Sequence, residues 1–190
     1  MRKINVKKIK NGVRQEVYNF FDALIICTAI IVLTFVFVGQ PVEVIGDSML
    51  PAFESGQRLL AEKVSIKLKD PNRGEVVIVR HPHEKELYVI KRIVGLPNET
   101  VLIKDGSVFI NDEPLNEDYL NEGTVTKGRN LIKDNAPRVI PEGKYVVLGD
   151  NRMDSMDSRN WGFVEEGDII GKAAIVYYPL KDFQIISELL

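Results

Sequence analysis

Residues 87–110 read LYVIKRIVGLPNETVLIKDGSVFI. Three short apolar runs, Leu87–Val94, Thr100–Ile103 and Ser107–Ile110, are cut by Gly95-Leu96-Pro97-Asn98 and by Lys104-Asp105-Gly106. Runs of this length bounded by turn residues read as strands, and Asp-Gly between two of them marks a tight hairpin. The pattern extends outward. Val42–Ile45, Arg58–Glu62, Glu75–Arg80, Lys144–Leu148 and Lys172–Tyr178 are further candidate strands. Helical periodicity is scarce, so residues 41–190 are expected to form a mostly β, antiparallel domain. Leu115–Pro137 is polar and weakly patterned and reads as a long surface excursion.

Composition limits what this domain can be. The chain has 190 residues with 25 Lys+Arg and 27 Asp+Glu, a net charge of −2. Residues 1–17 hold six basic residues against Glu16 alone, a net of +5; the remainder holds 19 basic and 26 acidic residues, a net of −7. Without a basic domain surface, a nucleic-acid partner is not expected. With 45% hydrophobic residues the chain can fill a core, which excludes general disorder. The single cysteine, Cys27, permits no intrachain disulfide and no multi-cysteine metal site.

The second decisive stretch is Phe20–Val38, FFDALIICTAIIVLTFVFV. As a helix its 19 residues span roughly 28 Å at ~1.5 Å each, close to the ~30 Å of a bilayer core. It exceeds a typical signal-peptide core, and Phe37-Val38-Gly39-Gln40-Pro41-Val42 has no Ala-x-Ala site, so it reads as a retained anchor. The expected organisation is a basic cytoplasmic segment (1–17), a transmembrane helix (18–40) and an extracytoplasmic β-rich domain (41–190). The basic flank sets that orientation by the positive-inside rule, giving a single-pass protein of the cell membrane. Asp22 then lies near the cytoplasmic interface, and Cys27 lies within the apolar run and is read as inert.

Three segments carry candidate chemistry. Gly46-Asp47-Ser48-Met49-Leu50-Pro51 follows the first strand. A serine there can present its hydroxyl beside free backbone N–H groups, as a nucleophile next to an oxyanion hole does; an ordinary Gly/Asp/Ser turn has the same composition. Tyr88–Gly95 places Lys91 in an apolar strand, sharing a face with Val89 and Ile93. Burial of that face would lower the lysine pKa and make it a general base; an edge strand would need the same lysine only against aggregation. Gly149–Gly162 combines Asp150, Asn151, Arg152, Asp154, Ser155, Asp157, Arg159 and the only tryptophan, Trp161. Asp157 with Arg159 and Asp150 with Arg92 are candidate pairs, worth ~0–1 kcal/mol each if exposed. Arg73–Val79 reads as a turn entering a buried strand.

In this order, behind an N-terminal anchor, these segments resemble the bacterial type I signal (leader) peptidases, specifically the short single-span kind of Gram-positive bacteria. The matching motifs are Gly-Asp-Ser-Met-Leu-Pro at 46–51, Arg-Gly-Glu-Val-Val at 73–77, Tyr-Val-Ile-Lys-Arg-Ile-Val-Gly-Leu-Pro at 88–97, and Gly-Asp-Asn-Arg-x-x-Ser-x-Asp-Ser-Arg at 149–159. The resemblance covers roughly residues 18–180. It implies that Ser48 is the nucleophile and Lys91 the general base. Ser155 matches the serine that orients the lysine by a hydrogen bond, and Asp150, Arg92, Asp157 and Arg159 match structural residues near the site. Met49, Val42, Val44 and Ile90 match positions of the substrate cleft. Gly46 stands where some members have a serine supporting the oxyanion hole, which leaves backbone N–H groups, first that of Ser48, for this role. Met153-Asp154 and Asn98-Glu99 also depart from frequent family residues.

The implied activity is removal of N-terminal signal peptides from exported pre-proteins after Ala-x-Ala-like sites, by a Ser–Lys dyad without metal or other cofactor. The implied partners are signal peptides, the lipid bilayer and, by proximity, the export translocon. Three other readings carry less. His81-Pro82-His83 lacks a third ligand at metal spacing. Soluble Ser–Lys autoproteases of transcriptional repressors share the dyad logic, but a membrane span stands here in place of their DNA-binding front end. A catalytically silent relative assisting surface-structure assembly would not need both Ser48 and Lys91.

Overall fold

The structure, a computed structural model, describes residues 6–37 and 39–186. Arg2 and Lys3 of the basic segment, Val38 of the apolar run and residues 187–190 of the expected β domain lie outside the described residues. The chain divides into two units at Val38/Gly39.

The first unit is one helix, α1 (Val6–Phe37). It begins inside the stretch expected to be a separate basic segment, so the basic flank and the apolar run are one continuous element. Its most apolar stretch, Gln15–Leu33, has 19 residues, a mean hydropathy of 1.8 and no buried residue. That length and composition are sufficient to cross a bilayer. Thr28 donates its hydroxyl to the Leu24 carbonyl at 2.8 Å, so this polar group asks nothing of its surroundings.

The second unit is antiparallel β, as expected. Its strands are β1 (Gly39–Glu43), β2 (Arg58–Glu62), β3 (Val76–Arg80), β4 (Tyr88–Gly95), β5 (Thr100–Lys104), β6 (Ser107–Ile110), β7 (Glu113–Pro114), β8 (Arg138–Val139), β9 (Lys144–Leu148), β10 (Val164–Glu165), β11 (Ile169–Tyr178) and β12 (Gln184–Ile185). Two short helices, α2 (Ser65–Leu68) and α3 (Ser158–Trp161), complete it. One sheet runs β1-β2-β11-β3-β4-β9-β10 with β12 added to β11; the other runs β7-β6-β5-β8. Every ladder between these strands is antiparallel.

The sequence accounts for this arrangement locally. β3 lies between two partners and is buried on both faces. Val76 and Ile78 join one apolar cluster with Met49, Phe53 and Leu59, while Val77 and Val79 join another with Ile93, Val147 and Trp161. A strand so placed reads as an uninterrupted apolar run, not an alternation. The Asp105-Gly106 hairpin forms with φ of +52° and +81°, as a two-residue turn matching the strand twist requires. The first strand differs from expectation. β1 ends at Glu43, and Val44 is buried beyond it, donating its N–H to the Gln57 carbonyl at 2.8 Å. Val44 and Ile45 therefore belong to the loop that carries Ser48.

Two features of the sheet leave room for a guest strand. β1 is an edge strand. β4 pairs with β3 from Tyr88 to Arg92 but with β9 only from Arg92 onward. The Tyr88–Lys91 half of β4 thus has one edge without a ladder partner among the described residues.

Candidate active site

Ser48 sits in the loop between β1 and β2. The base of this loop is closed by Val44, whose N–H reaches Gln57 and whose carbonyl accepts from Gly56 N at 2.9 Å. Phe53 N donates to the Met49 carbonyl at 3.0 Å, and Met49 and Phe53 are both fully buried. Met49 is therefore an anchor beneath the turn, and Ser48, its neighbour in the chain, remains partly accessible. Gly46 has a φ of +84°. A glycine adopts this conformation without strain, whereas a serine in its place would not.

Lys91 comes from the middle of β4 and is 3% exposed. Its Nζ donates to Ser48 Oγ at 2.7 Å. Burial pulls its pKa from 10.5 to about 8; Asp157 and Asp150 act against this, and Arg159 acts with it. The amine is thus poised near neutrality beside a hydroxyl. Both residues line a cleft of about 220 Å³. The same cleft is lined by Val42, Val44, Met49 and Ile90, all four of the residues expected to contact substrate.

The loop from Gly149 to Gly162 docks onto the Ser48 turn. Asn151 donates its N–H to the Ser48 carbonyl and its Nδ2 to the Asp47 carbonyl, each at 3.1 Å. The two expected ion pairs form, but not as exposed ties. Arg92 grips Asp150 in a fork, Nε to Oδ1 at 2.9 Å and Nη2 to Oδ2 at 2.7 Å, and Arg159 grips Asp157 likewise at 2.8 and 2.7 Å. No member of either pair exceeds 1% side-chain exposure. The small worth assigned to exposed pairs does not apply, because removing one partner would strand a buried charge. Asp157 also caps α3 through Arg159 N–H and receives Gly149 N–H at 3.1 Å.

Ser155 departs from expectation. It is buried, yet its hydroxyl has no hydrogen-bond partner among the described residues. It lies against Gly149: a Cβ built there would fall 2.2 Å from Ser155 Oγ and 2.5 Å from the Ser48 carbonyl oxygen. The expected bond to Lys91 is not made; the Lys91 ammonium points one donor to Ser48.

Several contributors were not legible in the sequence. Gly149 is required by close packing between Ser155 and Ser48. Arg152 is fully buried, pairs with Glu117, donates Nε to the Gly149 carbonyl at 3.1 Å and meets Thr126 Oγ1 at 2.5 Å. Tyr119 lies under the Arg92 guanidinium at 4.1 Å from its ring centroid. Glu117, Tyr119 and Thr126 belong to the stretch expected to be a surface excursion. It is irregular, but it is fastened to the site. The histidines take no part: His81 Nδ1 accepts from the N–H groups of His83 and Glu84 and so braces the β3–β4 turn.

The chain is similar to known proteins over most of its length. The family described as "Signal peptidase, peptidase S26" matches residues 17–178. Signal peptidase I of Bacillus amyloliquefaciens is 39% identical over 166 residues, covering 85% of this chain and 86% of that protein. Signal peptidase I of Bacillus licheniformis is 34% identical over 175 residues, covering 90% and 94%. Signal peptidase IB of Staphylococcus aureus is 32% identical over 182 residues, covering 90% and 94%. With the family spanning most of the helix and nearly all of the β unit, the chain belongs to peptidase S26, the signal peptidases.

Proposed function

We propose that this signal peptidase is a membrane-anchored serine endopeptidase in which Ser48 attacks the scissile carbonyl and Lys91 serves as base and acid. The observation that carries this reading is the 2.7 Å Lys91–Ser48 hydrogen bond at a lysine whose pKa is lowered to about 8. Neutral Lys91 Nζ takes the Ser48 proton as Oγ bonds to the carbonyl carbon. The resulting ammonium gives that proton to the leaving amine as the C–N bond breaks. A water then loses a proton to Lys91 and attacks the ester carbon, and Oγ leaves and regains its proton. Backbone N–H groups around Ser48 hold the oxyanion, a contribution worth roughly 2.7–4 kcal/mol per donor in comparable sites.

The substrate enters extended, as a strand between the open half of β4 and the segment after β1, so that main-chain bonds supply affinity. The cleft of about 220 Å³ admits small side chains on the acyl side, which supports the Ala-x-Ala preference. The span Gln15–Leu33 anchors the enzyme in the cell membrane with the basic N-terminus in the cytoplasm. Tethering raises the effective concentration of a substrate that is itself in the bilayer, in the vicinity of the export translocon.

The test is cleavage of a pre-protein by the full chain in detergent micelles, for wild type, Ser48→Ala and Lys91→Arg. Cutting after Ala-x-Ala by wild type alone supports the dyad. Folded wild type that cuts nothing would shift the reading to a silent role in surface assembly, and substantial cutting by Lys91→Arg would remove lysine as the base.

A further inference from the structure

A second groove, of about 610 Å³, adjoins the Ser48 turn, bounded by Leu50 and Pro51 on one wall and Asn151 and Met153 on another, with Val125 and Lys127 from the 115–137 stretch closing it. It shares no lining residue with the cleft that holds Ser48 and Lys91. The turn contributes consecutive residues to both grooves: Ser48 and Met49 line one, Leu50 and Pro51 the other. Asn151, in the second groove, is hydrogen-bonded to the carbonyls of both Asp47 and Ser48.

Building on the endopeptidase reading, we propose that this second groove binds the leaving side of the substrate, the first residues of the mature chain, and that Lys127 makes it favour an acidic side chain there. A strand running along β4 toward Ser48 fills the first cleft with residues before the cut. The residues after the cut must continue beyond the nucleophile, and the second groove begins at the next residues of the same turn. Its charge is set by elimination. Asp150 is consumed by Arg92 and Arg152 by Glu117. Lys127 is exposed, its ammonium has no carboxylate partner among the described residues, and apart from the paired Asp150 and Arg152 it is the one charged residue among those lining the groove. Glu122 and Asp154, near in sequence, do not line it. Val125, Met153, Leu50 and Pro51 supply apolar walls for the aliphatic part of a side chain.

The experiment uses the full chain in detergent micelles and two synthetic peptides, identical through an Ala-x-Ala site and bearing Asp-Glu or Lys-Lys at the second and third positions after the cut. Wild type is expected to favour the acidic peptide by about two- to fivefold in kcat/KM at low salt, the scale of one exposed ion pair. The preference should lie in KM and fade as salt is raised. Lys127→Ala should remove it and Lys127→Glu invert it, while the ranking of Ala against Val immediately before the cut stays as in wild type. Cleavage of both peptides with a ratio unmoved by either Lys127 variant would overturn the groove assignment alone. Cleavage of neither peptide by folded wild type would overturn the endopeptidase reading as well.

Discussion

Burial of Lys91 has a thermodynamic consequence that can be measured without substrate. The gap between 10.5 and about 8 corresponds to about 3 kcal/mol. Below pH 8 the ammonium is present in both native and unfolded chains, and the native state bears that whole cost. Between pH 8 and 10.5 the unfolded chain holds more proton than the native one, so stability rises with pH across this window. Lys91→Met removes the charge and keeps most of the volume. After subtracting ~1 kcal/mol for the bond to Ser48, the variant should be more stable near pH 7 by about 2 kcal/mol, or roughly 4–8 °C in Tm. The advantage should vanish above pH 10.5. The same value governs rate: neutral Lys91 should rise from about one-tenth at pH 7 to about nine-tenths at pH 9. kcat/KM should therefore climb about tenfold and level off. Thermal denaturation in micelles at pH 7 and 10.5, with a pH–rate profile of wild type, reads both. A rate still climbing at pH 10, with Lys91→Met no more stable than wild type at pH 7, would refute the reasoning.

Gly149→Ala should cost about 1–3 kcal/mol and lower cleavage by one to two orders of magnitude, because the added Cβ would push apart Ser155 and the Ser48 carbonyl; Tm and kcat measure it. Arg92→Leu strands the buried Asp150 carboxylate and should destabilise by about 3–5 kcal/mol, visible in urea unfolding. Ser155→Ala removes a hydroxyl without a partner among the described residues, so Tm should hold within a degree or two. If substrate binding brings that hydroxyl onto Lys91, kcat should fall at constant KM and the pH midpoint should move; an unaltered profile would make Ser155 a space-filler. Arg152→Ala should release residues 117–126, seen as faster amide hydrogen exchange there.

What the sequence made legible is what local physics decides. Period-two patterning and turn residues placed β2, β6 and β9 to the residue, because their apolar positions and their hydrogen-bonding neighbours coincide. β1 ends two residues earlier than expected because Val44 and Ile45 look like strand but serve the Ser48 loop, with Val44 turned into the core by its bonds to Gln57 and Gly56. Ser48 and Lys91 stood out because each is unusual in its own surroundings. Arg152 did not, because its partner Glu117 lies 35 residues away in a stretch without periodicity. Gly149 was hidden for the same reason: what demands a missing side chain is the approach of Ser48 and Ser155, which only the folded chain brings together.

Why Lys91 departs from ordinary lysine behaviour follows from where its neighbours' charges are spent. A buried ammonium beside Asp150 and Asp157 would normally form an ion pair and stay protonated. Here each carboxylate is already gripped by a forked arginine, and Arg159 itself opposes the proton on Lys91. Arg159 offsets part of the carboxylates' pull, and desolvation, the largest effect, decides. Arg152, the third buried arginine of the site, is paired with Glu117, so the 115–137 stretch fastens to the site without leaving an unpaired buried charge beside Lys91. The buried Asp and Arg residues between 149 and 159 are thus each paired, Asp150 with Arg92, Arg152 with Glu117 and Asp157 with Arg159, in a frame that leaves the pKa of Lys91 to desolvation.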